Sequence, residues 1–359
     1  MIHATPTSTK AIRSLLEQLD AQHAELAHEL GRAAPWDGTL RRDAQVGSVV
    51  SSTSIEGFVV ADEDARALVA GIQPADEDAN RWAVACYARA MEHVRVMADD
   101  PSFRWLDRVV LDLHFDACLF QRTRSPGRWR TGPIGVSAPP GGHHYAAPDA
   151  EAVPALVDET LSWLASSNDV HLLVRAAMAH LHVVSIHPFR DGNGRISRII
   201  QSLVLARGGV LAPEFASIEP YLARHTDEYY QQLQQAQGPI YDPSRDASEW
   251  VRFCLQAHVA QADAFQRQMR ELAERWQRLE ELVASRRWPE RLVIALEHAL
   301  TIGLSRASYA VEAGVAAPTA TLDLRRLVDA GLIEPHGGGR STMYAASAAL
   351  RDVVRRAAS

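Results

Sequence analysis

Apolar residues recur in steps of three and four along most of this chain, the spacing that gathers them on one face of a helix. The stretches IRSLLEQLDAQHAELAHEL from Ile12, RWAVACYARAMEHVRVM from Arg81 and WLDRVVLDLHFDACLF from Trp105 read as helices. So do VPALVDETLSWL from Val153, HLLVRAAMAHLHVVSI from His171 and RISRIIQSLVLARG from Arg195. The pattern breaks at GRWRTGPIGVSAPPGGHHYAAPDAE, from Gly127, where Gly and Pro alternate with β-capable residues and predict a hairpin. It breaks again at HPFRDGNG, from His187.

Neither Gly nor Pro occurs between Pro243 and Pro289, so one long helix or two closely joined ones fit there. Within it Phe265, Met269, Leu272, Trp276, Leu279 and Val283 form a short heptad seam, which reads as a helix packed on its own domain, with a homodimer contact as the alternative. After Pro289 three short helical runs are followed by LIEPHGGGRSTMYAAS, a two-stranded wing around Gly337 to Gly339. Helix, turn, helix and hairpin in that order predict a winged helix. The fold class is therefore mainly α, with one hairpin in the middle and a small winged helix-turn-helix domain at the end.

Composition narrows the function. The chain has 359 residues, 47% hydrophobic and 23% charged, with a net charge of −7. That balance excludes a protein that coats nucleic acid or acidic lipid by bulk charge. No apolar run reaches membrane-span length and no signal-peptide core opens the chain, so no membrane partner and a cytoplasmic setting are expected. Cys86, Cys118 and Cys254 are odd in number and far apart, and are expected to be reduced and buried. Lys10 is the only lysine, so a P-loop with its phosphate-binding lysine is excluded, and any phosphate must be held by arginines and backbone amides.

The segment HPFRDGNGRISR, from His187 to Arg198, has the parts for that. Pro188 ends the preceding helix and biases His187 toward an extended backbone at the mouth of a loop. Gly192, Asn193 and Gly194 can turn their amides inward where a helix begins, an anion site made of free N–H groups and the helix dipole. Arg195 and Arg198, three apart, share a helix face and can clamp neighbouring phosphates. Asp191 is a hard oxygen donor suited to a Mg²⁺ that already has phosphate and water ligands. His187 can take a proton from an attacking hydroxyl near neutral pH. Together these are the components of a phosphoryl or nucleotidyl transfer site.

H-x-F-x-D-G-N-G-R-x-x-R resembles the signature of the Fic family, and every specified position is filled. The resemblance implies transfer of AMP from ATP to a hydroxyl side chain of a target protein or of the enzyme itself. It implies His187 as general base, Phe189 as a buried anchor, Asp191 as the Mg²⁺ carboxylate, Gly192, Asn193 and Gly194 as the anion hole, and Arg195 and Arg198 on the outer phosphates. Gly192 stands where the related Doc kinases carry a lysine, so nucleotidyl transfer is implied. The likeness runs from about Gly38 to about Gln261. It gives residues 131–145 the role of a flap that docks the target as an added strand, and Tyr229 and Tyr230 that of an adenosine-side wall. Val183 stands where the family pattern carries Phe. His180 and His182 lack a zinc frame, and His143 and His144 read as solvated or target-facing.

SSTSIEG, from Ser51, resembles the family's inhibitory motif, (S/T)-x-x-x-E-(G/N). Ser52 and Glu56 fall on one helix face, Gly57 lets the chain turn away, and a carboxylate paired with Arg198 would remove its grip on the γ-phosphate. The expected organisation is an N-terminal helical region with the inhibitory helix at 1–95, a Fic catalytic core at 96–262, a connecting helix at 263–288 and a winged helix at 289–359. Two alternatives accompany the autoinhibited transferase. One is removal of AMP from a modified protein; the other is a DNA-binding regulator with a nucleotide-sensing core. The candidate recognition helix sets Arg325 and Arg326 against Asp323 and Asp329, with Arg340 in the wing, so a protein partner is favoured over DNA.

Overall fold

The computed structural model describes residues 1–355 except Ala33, 139–142, Ile302 and 338–341. The flap tip at 139–142, the side chains of His143 and His144, and the wing residues Gly338, Gly339 and Arg340 lie outside what is described. The chain divides into two compact units, Met1–Gln266 and Arg267–Ser359.

The first unit opens with α1 (Lys10–Leu30), α2 (Asp37–Ile55), α3 (Asp62–Val69), α4 (Ala79–Asp99) and α5 (Asp107–Cys118). A hairpin of β1 (Gly135–Ala138) and β2 (His143–Ala146) follows, with Gly135 opposite Ala146 and Ala138 opposite His143. Then come α6 (Val153–Ser166), α7 (Leu172–Ile186), α8 (Asn193–Gly208), α9 (Pro213–Ala216), α10 (Glu219–Arg224) and α11 (Thr226–Gln237). The helix α12 (Ser248–Ser285) contains the boundary between the units.

The centre of the first unit is the pair α7 and α8, buried nearly all the way round. Most turns of α7 place Ala, Val, Leu or Ile on every side, as a helix surrounded by others must. The neighbours α4, α5, α2 and α6 close around this pair. From α12, the indole Nε1 of Trp250 donates to the Ala177 carbonyl at 2.8 Å, pinning that helix to α7. The loop 187–192 thus joins two rigid helices.

The helix α2 ends at Ile55. Glu56 caps it, Gly57 has φ +85°, and the Phe58 amide returns to the Thr53 carbonyl at 3.1 Å. A left-handed glycine after the cap is the common way to close a helix and redirect the chain. The chain redirection expected of Gly57 is present.

The second unit holds α13 (Leu292–Thr301), β3 (Leu304–Ser305), α14 (Arg306–Glu312), α15 (Ala317–Asp329), β4 (Ile333–His336), β5 (Met343–Ala346) and α16 (Ala348–Arg355). Its antiparallel sheet has the order β3-β5-β4, and the hairpin expected near Gly337 corresponds to the paired strands β4 and β5. The two-residue β3 is an addition to that expectation. All six seam residues from Phe265 to Val283 are buried within the chain, so no exposed apolar seam remains there. Asp323 does not face outward from α15. It is 2% exposed and held by Arg291 at 2.7 and 3.1 Å and by the Tyr309 hydroxyl at 3.0 Å. The outward charges of α15 are therefore Arg325, Arg326 and Asp329, a more basic face than the sequence count suggests.

Candidate active site

The loop after α7 brings the motif residues together. Phe189 is fully buried, stacked on the His114 ring at 3.5 Å and 1°. Asn193 holds the loop from the other side, its Oδ1 accepting from the Phe189 amide at 2.9 Å and its Nδ2 donating to the Phe189 carbonyl at 2.8 Å. The side chain of Asn193 is thus committed to the loop, and what it can offer an anion is its backbone amide.

Helix α8 begins at Asn193 behind Gly192, which has φ +77°. A side chain at Gly192 would be strained by that backbone and would run into Cys118 Sγ. The amides of Asn193, Gly194 and Arg195 have no partner among the described residues, as is usual for the first N–H groups of a helix.

His187 departs from the extended backbone expected before a proline. It is left-handed, φ 51° and ψ 58°, because it caps α7, its amide still bonded to the Val183 carbonyl at 3.0 Å. Its Nδ1 lies 3.2 Å from the Val184 carbonyl. A carbonyl can only accept, so the proton is on Nδ1 and Nε2 is left with its lone pair. Burial lowers the imidazole to about 4, against the opposing pull of that carbonyl contact, and the charge of Arg130 lowers it further. His187 is neutral at pH 7 and can accept a proton at Nε2.

Asp191 is partly exposed. Its Oδ1 accepts from the Gly192 amide at 2.7 Å and its Oδ2 from Gln121 Nε2 at 3.1 Å. Gln121 Oε1 in turn accepts from Arg195 Nη2 at 2.9 Å, so one side chain bridges the acid and the arginine. Arg195 is 1% exposed and lies against the faces of Phe58 and Phe120, with its guanidinium carbon 5.3 and 5.4 Å from their centroids. In this arrangement it supports the site from behind and does not stand open beside Arg198.

Arg198 is buried and occupied. Its Nε donates to Ser52 Oγ at 2.7 Å, and its Nη2 donates to the Ser52 carbonyl at 3.0 Å and to Glu56 Oε1 at 2.9 Å. Its Nη1 is buried with no partner. Burial would push the Glu56 carboxyl up, but Arg198 and then Arg195 overcome it and hold Glu56 below the usual carboxylate range. The same ion pair raises Arg198 in spite of burial. The Glu56 carboxylate lies so close over Gly194 that a Cβ there would overlap its Oε1. A carboxylate thus occupies the space in front of the open amides.

The two tyrosines have different positions. Tyr229 is 1% exposed, with its hydroxyl 3.0 Å from His180 Nε2, and belongs to the core. Tyr230 is half-buried near Glu56, its hydroxyl donating to the Ile55 carbonyl at 3.4 Å, and it alone of the pair can face a ligand. His180 and His182 are fully buried, lowered to about 3 by burial and engaged with Gln201 and the His3 carbonyl, so they do not form a metal site. Three supporting residues went unread in the sequence: Gln121, His114, whose Nε2 donates to the Asp191 carbonyl at 2.9 Å, and Arg130. Nothing in a single sequence marks His114 or Gln121, which reach Asp191 from 77 and 70 positions away.

Residues 105–205 match the family model described as Fic/DOC family. This chain carries a Fic domain. Over 278 residues the chain is 22% identical to a protein adenylyltransferase Fic from Nematostella vectensis, covering 73% of this chain and 58% of that one. Over 209 residues it is 27% identical to a protein adenylyltransferase Fic from Drosophila willistoni, covering 54% and 38%. The chain thus spans less than two thirds of the length of these curated relatives. A crystal structure of a Fic family protein from Desulfovibrio desulfuricans has the same fold, with a TM-score of 0.60 at 23% identity over 96% of this chain and 98% of that one. The mainly α Fic core is thereby shared in fold, and the matched segment includes both the supporting helix α5 and the whole motif. Among the described residues no single helix is long and apolar enough to cross a membrane.

Proposed function

We propose that the chain is a protein adenylyltransferase that transfers AMP from ATP to a hydroxyl side chain of a target protein or of itself, and that Glu56 holds it off at rest. The observation that carries this reading is the convergence of a neutral His187, three unpaired amides and the Glu56–Arg198 pair at the start of α8. The names of the curated relatives support the same activity.

In the reaction, His187 Nε2 takes the proton of the target hydroxyl as its oxygen bonds to the α-phosphorus and pyrophosphate leaves with the bond between the α- and β-phosphates. The amides of Asn193, Gly194 and Arg195 receive the phosphate oxygens. Arg198, once free of Ser52 and Glu56, offers Nε, Nη2 and the already unpaired Nη1 to the outer phosphates. Mg²⁺ fits a single half-exposed carboxylate, because that ion keeps most of its waters and shares phosphates, and Asp191 would hold it. When bound it would neutralise phosphate charge. Tyr230 borders the nucleotide, and the target docks along β1, the open edge of the 131–145 flap.

Rest is set by competition. Arg198 cannot grip a γ-phosphate while Ser52 and Glu56 use its donors, and the carboxylate over Gly194 repels the same phosphates. A cytoplasmic setting fits three buried, free cysteines. The decisive assay is label from α-labelled ATP appearing on protein, which γ-labelled ATP does not reproduce; label from the γ-position would instead mark a kinase.

A second reading rests on α15, whose outward face gains in basic character because Asp323 is buried. DNA binding by the winged helix would then accompany the Fic activity. Retention on duplex DNA that falls steeply with salt supports it, and no retention at low salt leaves a protein partner for that unit.

A further inference from the structure

Arg130 stands just before the hairpin and is 7% exposed. Among the described residues its side chain forms no ion pair, and all its hydrogen bonds go to backbone carbonyls. Its Nε donates to the His187 carbonyl at 2.8 Å, its Nη1 to the Gly132 carbonyl at 2.9 Å, and its Nη2 to the carbonyls of Pro148 and, at 3.5 Å, Ile186. The Arg130 amide donates to the Pro188 carbonyl at 2.9 Å. Gly132 and Pro148 are the two roots of the hairpin, and Ile186 and His187 are the C-terminal end of α7.

We propose that Arg130 is a positioning residue for the transfer reaction, a single guanidinium that ties both roots of the flap to the carbonyl of His187 so that flap and base keep one relative placement. The proposal rests on the adenylyltransferase reading.

The need for such a tie is local. A left-handed backbone is unfavourable at any residue with a Cβ, so His187 keeps φ 51° only where its surroundings over-determine it. The carbonyls at the end of α7 lack helical donors and carry the negative end of its dipole, which favours a cation. A planar fork with donors on three nitrogens can reach carbonyls on the helix end and on both hairpin roots at once. An ammonium is a point, and cannot span them. The hydroxyl of Tyr145, on β2, donates to the Ser185 carbonyl and adds a second attachment of the flap to the same helix end. With that arrangement, a target added to β1 presents its hydroxyl at a distance from His187 that Arg130 helps to fix. The positive charge of Arg130 also opposes protonation of the imidazole.

The test compares the parent chain, R130K and R130Q in three measurements: nucleotide transfer, affinity for a non-hydrolysable ATP analogue, and the titration of the His187 ring by NMR. R130K keeps the charge and loses the fork. We expect its transfer rate to fall at least about tenfold, with analogue affinity within about twofold of the parent. R130Q loses the charge as well, so its His187 titration and the acid limb of its rate should move to higher pH. Equal transfer in R130K, a parallel loss of analogue affinity, or an unmoved titration in R130Q would each overturn the proposal. If the parent transfers no nucleotide at all, the adenylyltransferase reading fails, and the NMR titration still decides whether Arg130 acts on His187. If neither variant folds, amide hydrogen exchange on the parent decides: the amides of Arg130, His187 and Ala147, which donates across the hairpin root to the Ile134 carbonyl, should exchange at a common rate, and fast exchange at Ala147 beside slow exchange at His187 would break the tie.

Discussion

His187 can serve as a base because the Val184 carbonyl keeps the proton on Nδ1 and because burial holds the ring near 4. The neutral form is fully present above that value and is lost as pH falls through it. We therefore expect kcat/KM to be flat from pH 8 to 6 and to fall only below about 5; a fall centred at the ordinary histidine value near 6.5 would contradict this state of the ring. His187→Ala should lower transfer by about 10²- to 10⁴-fold and leave ATP-analogue affinity largely intact, since no phosphate contact is assigned to the imidazole. Loss of analogue binding would remove it from that role. For Asp191→Ala the expected result is loss of Mg²⁺ stimulation together with activity, and turnover still stimulated by Mg²⁺ would take Asp191 away from the metal. The motif was legible because its residues are contiguous. What surrounds it was not. His114, Gln121 and Arg130 act on the loop through contacts that cross 57 to 77 positions, and a lone His or Gln on a helix has no local signal. The commitment of Asn193 to Phe189 and the burial of Tyr229 also follow from packing rather than spacing.

Helices were the most readable elements, since α1, α4, α7 and α8 bury apolar residues at the spacing that predicts them. The short α9 and α10, each with proline in its first turn, and the two-residue β3 carry too few positions for any period to register. Helix α2 links element to function, for it delivers both Ser52 and Glu56 to Arg198. Its other end is anchored by the Arg41–Glu214 pair and by Arg66 on Asp43 at 2.6 Å, so the carboxylate is presented by a braced helix. Ser52→Ala removes one hydrogen bond to a charged group, worth about 1.5 to 3 kcal/mol, and should raise basal transfer without matching removal of the Glu56 carboxylate. In α12 the seam residue Leu272 is 3% exposed. Leu272→Asp would bury an unpaired carboxylate and should destabilise the chain by roughly 3 kcal/mol or more, read as a lower denaturant midpoint. An unchanged midpoint would mean that the seam contributes nothing to stability.

For the chain taken together, five histidines held well below their ordinary value predict acid sensitivity. His114, His180, His182, His187 and His258 are all lowered by burial, to about 3 or 4. Their unfolded forms bind protons first, so stability is fully present above pH 6.5 and declines as pH falls toward 4, by about 2 kcal/mol for each group at pH 5. Thermal melts should therefore drop between pH 7 and pH 5, and equal midpoints would show that these rings are hydrated. Nucleotidyl transfer restrained by Glu56 is the property on which the proposed function stands or falls. If the Glu56–Arg198 contact favours the closed arrangement by about 2 to 3 kcal/mol, its removal should raise the rate about thirty- to two-hundredfold. The most direct measurement is intact mass spectrometry of the protein itself, wild type beside Glu56→Gly, after incubation with Mg²⁺ and each of the four nucleoside triphosphates. Mass gains of one AMP or multiples of it should appear with ATP, and far faster in Glu56→Gly. A mutant that gains mass no faster than wild type, or gains single phosphoryl groups, would contradict the proposed function.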